Sequence, residues 1–298
     1  MSGHAAPGTA LPLARAEAVA GTLPPLLVAA ERVASTVAQG VHGRRRVGQG
    51  DSFWQYRPFS AGDAASRIDW RQSARGERLF VRETEWEAAQ TVCLWRATGP
   101  AMDWHSHLTP TTKQARADLL LLALAVLLLR GGEQVRLIAP GLPRFAGRAG
   151  LLRLAATLAE PTRPSTLPPE ADLPRHARVV LIGDLLDTLD DIETTVARLA
   201  AIPVRGLLLQ VLDPAELDLP YDGRVRFDAA SSGASTILPR VASVRERYTA
   251  RLAAQRDGIG QLCRAAGFTF QTHDTHGTPE HALLRLYTAL SPQPGGQR

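Results

Sequence analysis

The sequence predicts an α/β protein: a mostly parallel, doubly wound sheet with helices on both faces, preceded by a small N-terminal β-rich unit and leading helices. Three observations carry this. From Gln90 onward, short apolar runs alternate with longer amphipathic ones, the rhythm of strand and crossover helix. The run Val179–Ile182 is continuously apolar, as a central parallel strand covered on both sides requires. All five tryptophans fall between Trp54 and Trp104, interleaved with Arg, Asp and Glu, which marks the stretch 48–90 as a compact unit with an aromatic core or a partner surface.

In chain order, residues 1–12 and 292–298 are rich in small and polar residues without periodicity and are expected to be tails. Residues 13–87 form the N-terminal part. There, apolar residues recur at helical spacing from Leu13 to Gln39, interrupted at Pro24–Pro25, so two helical pieces should lead into the basic turn Arg44–Arg45–Arg46. The main domain spans 88–291. Its expected strands are 91–96, 134–139, 178–183, 206–212 and 268–273; its expected helices are 111–130, 149–159, 189–201, 241–266 and 280–290. Residues 223–233 read as a strand and turn, a hairpin placed on the sheet's edge.

Composition restricts the function classes. The 298 residues are 45% hydrophobic, enough for a sizeable core, and the formal charge of +5 comes from 34 basic and 29 acidic residues spread along the chain. Arginine supplies almost all the positive charge; Lys113 is the single lysine. Cys93 and Cys263 sit in apolar runs and read as buried small hydrophobes, without disulfide or zinc spacing. Met1 to Ala10 does not have the pattern of a signal peptide, and the apolar run Leu119–Leu129 is 11 residues, short of the roughly 20 that span a bilayer, so a cytoplasmic protein is expected. Neither a phosphate-binding glycine loop nor a nucleophile elbow follows any expected strand, which disfavours kinases, ATPases, dehydrogenases and serine hydrolases.

Ligands of open α/β sheets sit outside the carboxyl ends of strands, so the loops there hold the candidates. The loop after the first strand reads Arg96 to Asp103 and offers one hydroxyl; the loop after 178–183 offers Asp184 and Asp187, read first as a cap or loop acid. Asp103, His105 and His107 alternate in one loop and are a weaker metal-ligand set. The acids and bases at Arg57, Asp63, Arg67, Asp69, Arg71, Arg75, Arg82 and Glu83 read as ion pairs holding strands together, or as a partner surface. Trp70 is expected in the core and Asp69 paired with Arg57 or Arg75.

One stretch resembles a bacterial family catalogued as domain of unknown function 58. The motif stands here as Phe53–Trp54–Gln55–Tyr56–Arg57–Pro58, Gly62–Asp63, Arg67–Ile68–Asp69–Trp70–Arg71 and Ser73–Ala74–Arg75, continuing through Arg82–Glu83 and Trp86. The resemblance continues downstream at Gly206–Glu216 and at Arg245–Arg251 around Tyr248. The resemblance implies a von Willebrand factor A-like domain from about residue 88 and partnership with a MoxR-type AAA+ ATPase in assembly or activation of a client protein. It also implies an Asp-x-Ser-x-Ser metal-ion-dependent adhesion site, whose positions here are Ala97, Gly99 and Ala101, with Asp184 at a later ligand position. Residues 141–150 supply no Ser or Thr for the remaining hydroxyl.

One carboxylate cannot hold a hard divalent cation tightly, so the expectation is a degenerate site with no metal or cofactor. The expected function is therefore a non-enzymatic adaptor or co-chaperone. Two alternatives remain at this point: a divalent-dependent hydrolase using Asp184, Asp187 and the 103–107 loop, and nucleic-acid binding through Arg44–Arg46 and neighbouring aromatics.

Overall fold

The computed structural model describes residues 25–42, 53–60, 68–76, 78–84, 89–230 and 234–290. The chain divides into two compact units, one comprising residues 41–89 and the other the remainder.

The larger unit holds a six-stranded sheet. Its strands are β3 (Thr91–Arg96), β4 (Gln134–Leu137), β5 (Arg144–Phe145), β6 (Arg178–Gly183), β7 (Arg205–Leu212) and β10 (Thr269–Asp274), in the order β10-β7-β6-β3-β4-β5. All neighbours are parallel except β5, which runs antiparallel to β4. Counted from β3 this is the doubly wound order 3-2-1-4-5-6, with its direction of winding reversing between β3 and β6. The expected α/β class is therefore the observed one. β6 is buried at every residue, which is why its sequence is apolar without alternation.

Helix α3 (Lys113–Arg130) packs on α4 (Gly147–Ala159) and on α8 (Pro279–Leu290), while α5 (Leu189–Ala200) packs on α7 (Ala242–Ala265). The run Leu120–Val126 within α3 is wholly buried, so its unbroken apolar sequence reflects burial all round. Among the described residues, no helix is long and apolar enough to cross a membrane. Helix α1 (Pro25–His42) begins at a proline, tolerated at a first turn that needs no donor. It groups with the larger unit: Glu31 pairs with Arg148 of α4, and Arg130 of α3 donates to Ser35. Its expected partner helix before Pro24 lies outside the described residues.

The hairpin after β7 departs from expectation. Strands β8 (Val225–Asp228) and β9 (Ser235–Leu238) form a separate two-stranded sheet rather than an addition to the main sheet's edge. Tyr221 packs edge-on against Phe227, and Tyr221's other neighbour is His107. Cys93 and Cys263 are fully buried, and burial pushes both thiols up to about 11.

The smaller unit is a β-hairpin of β1 (Phe53–Pro58) and β2 (Phe80–Thr84), with the short helix α2 (Trp70–Ser73) between them. Ile68 bridges to Val81, and Ser73 Oγ both accepts from the Phe80 amide and donates to the Asp69 carbonyl.

Candidate functional site

The sheet order selects the place to look, because the crevice outside the carboxyl ends of β3 and β6 is where this fold holds ligands. There the chain gathers Lys113, Asp184, Asp213 and Glu216. Lys113 opens α3, whose first turn is capped by Thr112 Oγ1 accepting from the Ala115 amide. Asp184 follows β6 directly, and its carbonyl accepts from Gln210 of β7. Asp213 follows β7 and caps α6 (Pro214–Asp218) in a reciprocal capping box: Asp213 Oδ1 takes the Ala215 amide, and Glu216 Oε2 takes the Asp213 amide.

The Lys113 ammonium is 1% exposed and lies 2.5 Å from Glu216 Oε1 and 3.2 Å from Asp184 Oδ2. The second oxygen of Asp213 is also engaged by an amide, since Oδ2 accepts from the Ser106 N–H at 2.8 Å. Burial pushes the Glu216 carboxyl above its usual range, and the Lys113 charge is what holds it back. Tyr248 donates to the Glu216 carbonyl at 2.6 Å, while Arg245 donates to the carbonyls of Leu219 and Tyr221 and to Asp222. Burial next to Glu216 raises the Tyr248 phenol to about 12, so it serves as a donor at all ordinary pH.

One turn further along α3, Arg116 donates to His273 Nε2 and to the carbonyls of Thr275 and Gly277. Arginine cannot accept, so His273 accepts there as a neutral ring. Burial first and the Arg116 charge second lower its pKa to about 4. Asp118, deeper in the same helix, contacts Arg96 of β3, whose guanidinium also donates to the Leu158 carbonyl.

Compared with known families, residues 55–258 match the model described as "Protein of unknown function DUF58", well over half of the chain. The chain belongs to this family. No curated protein matches. Two solved structures are similar: an aerotolerance-related membrane protein from Bacteroides fragilis, at 12% identity, covering 68% of this chain and 100% of that one with a TM-score of 0.37, and a conserved hypothetical protein BatB from Bacteroides thetaiotaomicron, at 9% identity, covering 68% and 98% with a TM-score of 0.31.

The positions singled out in the sequence fall apart into three groups within this DUF58 chain. Ala97, Gly99 and Ala101 stand in the segment after β3, where the Ala97 amide donates to the Ile182 carbonyl of β6, and Asp184 faces Lys113 rather than capping a helix, the cap of α5 being Thr188. Asp187 is tied to Thr166, and His107 packs on Tyr221 with His105 turned to the Ser106 carbonyl, so neither completes a ligand set with Asp184.

In the smaller unit Trp70 is 63% exposed, which overturns the expected core position. Asp69 is the N-cap of α2, its Oδ1 accepting from the Gln72 amide at 3.0 Å; the side chain of Arg57, one of its two expected partners, lies outside the described residues. Arg71, Ala74 and Arg75 are exposed, and Ile68 and Ser73 are buried. Gly62, Asp63 and Arg67, and the side chains of Phe53, Trp54, Tyr56, Arg57, Arg82 and Glu83, lie outside the described residues, as do Arg44–Arg46.

Sequence reasoning passed over Lys113, Asp213 and Glu216 as a cluster. Two signals were available: Asp-Pro-Ala-Glu after an apolar strand is a capping box, and the chain's sole lysine stands at the mouth of its most apolar helix.

Proposed function

We propose that this DUF58 protein is a non-enzymatic, cytoplasmic adaptor that docks a MoxR-type AAA+ ATPase and a client protein, with its contact independent of divalent metal. The observation that carries the reading is the exposed Trp70, flanked by exposed Arg71, Arg75 and Arg78 and by Leu79 at 42% exposure. Tryptophan and arginine are the residues that dominate binding energy at protein interfaces, and a large ring left in water costs free energy that a partner would recover. The ligand end of the main sheet is filled by the chain's own ion pairs, which favours a scaffold over a substrate pocket.

The test is association of the purified protein with MoxR-type ATPases from the same cell, in a fixed nucleotide state, with and without chelator, for wild type and Trp70→Ala. Binding that survives chelation and weakens at least about tenfold in the variant, as loss of an interface hot spot should, supports the reading. Failure of every such ATPase to bind, or turnover of a substrate panel that requires divalent metal, removes it.

A further inference from the structure

We infer that the Lys113 ammonium is a tethered stand-in for a bound cation, filling the place at the sheet's switch point where the carboxylates of Asp184 and Glu216 would otherwise draw in a divalent ion. Asp213 spends both oxygens on amides, from Ser106 and Ala215. Glu216 spends one on the Asp213 amide. Of the three oxygens left, Asp184 Oδ2 and Glu216 Oε1, from a buried and a part-buried carboxylate, converge on one Nζ. Two like charges held together out of water require a counter-charge, and the chain provides it from its only lysine.

The residues around this point suit an ammonium and would hold a metal only weakly. A hard cation needs several oxygen ligands, and Ala97, Gly99 and Ala101 offer none from their side chains. The loop is also close-packed at Ala97 and strained against any side chain at Gly99. Ala97 is fully buried, with its Cβ 3.0 Å from where a Cβ on Gly183 would stand. Gly99 has φ +125°, and a Cβ there would meet Pro164 Cβ at 3.0 Å; the loop is pinned in that position by the paired backbone bonds of Thr98 and Ser165. An ammonium, by contrast, brings its own bonds to the protein and asks only for acceptors. The absence of ligand side chains and the presence of the lysine thus act together, leaving the loops organised at any divalent concentration.

The experiment follows thermal unfolding in chelator and in rising Mg²⁺ or Mn²⁺ for wild type, Lys113→Met and Lys113→Met/Glu216→Gln. Wild type should show no saturable shift. Lys113→Met should melt lower in chelator and regain at least about 4 °C with half-saturation near the millimolar range of loosely organised oxygen sites. The double variant, with the like-charge pair relieved, should melt above Lys113→Met in chelator and lose the response to cations. Saturable stabilisation of wild type overturns the inference, as does a folded Lys113→Met that ignores divalent ions. If Lys113→Met is unfolded in chelator, near-ultraviolet circular dichroism reads refolding on adding Mn²⁺ or the second substitution; failure of both means that the stem's packing, not the charge, was lost, and that also overturns it.

Discussion

The Lys113 cluster and the Asp69–Trp70 turn are built from the same kinds of residue and do opposite things with them. At the first, Lys113, Asp184 and Asp213 are at most 4% exposed; Lys113 pairs with Asp184, and Asp213 accepts from the amides of Ser106 and Ala215. At the second, the acid caps a four-residue helix while Trp70, Arg71 and Arg75 stand in solvent. A buried ion pair must satisfy itself, and so specifies geometry; an exposed Trp and Arg pair is left with binding capacity unspent. Charge-rich sequence alone does not distinguish the two, since what differs is which elements close over the charges.

The contrast can be broken most forcefully at Lys113. Replacing it with Met leaves two buried carboxylates without their cation, and urea unfolding should show a loss of about 3–5 kcal/mol. A loss below about 1 kcal/mol, the scale of an exposed pair, would put the cluster in the same category as the Asp69 turn.

His273 sharpens the buried side through pH. Its folded pKa, about 4, lies below the unfolded value near 6.5. Its contribution is therefore complete above pH 6.5 and is lost as pH falls through 4, up to about 2–3 kcal/mol. The difference in stability between wild type and His273→Gln across that window isolates the ring from Asp118, which burial pushes up to about 7 and which titrates there with the opposite sign. A histidine NMR titration with its midpoint above 6 would contradict the buried, Arg-facing geometry.

On the exposed side the effects shrink. Asp69→Ala removes one cap and should cost about 1 kcal/mol in chemical unfolding, with Asp69→Asn recovering most of it. A loss near that of Lys113→Met would mean that Asp69 holds a buried cation after all. Smallest is Trp70→Ala, expected within about 0.5 kcal/mol of wild type in stability, as for other surface changes. A larger loss would show that the ring is covered in solution.

Much of the fold was legible. β3 and β6 form over the expected residues, and the five helices expected in the main domain begin and end within two residues of expectation, because a strand buried on both faces and a helix packed on one each leave their period in the sequence. The separate β8–β9 sheet was not, since pairing partners of a short hairpin are set by what packs nearby. In the same way, Asp184 was visible as a strand-tip acid, but its partner lies 71 residues earlier at the start of a helix.

By itself, then, the sequence determined the α/β class, the place where ligands of such a sheet sit, the loss of hydroxyl and carboxyl groups at Ala97, Gly99 and Ala101, and membership in a family through its Arg and Trp motif. Tertiary structure alone decided that Lys113 stands between Asp184 and Glu216, that Asp69 is a cap, and that Trp70 faces water. Periodicity and motif are properties of neighbouring residues. Burial and charge pairing depend on segments that meet only when β6, α3 and α6 close on one another, and those contacts leave no local trace in the order of residues.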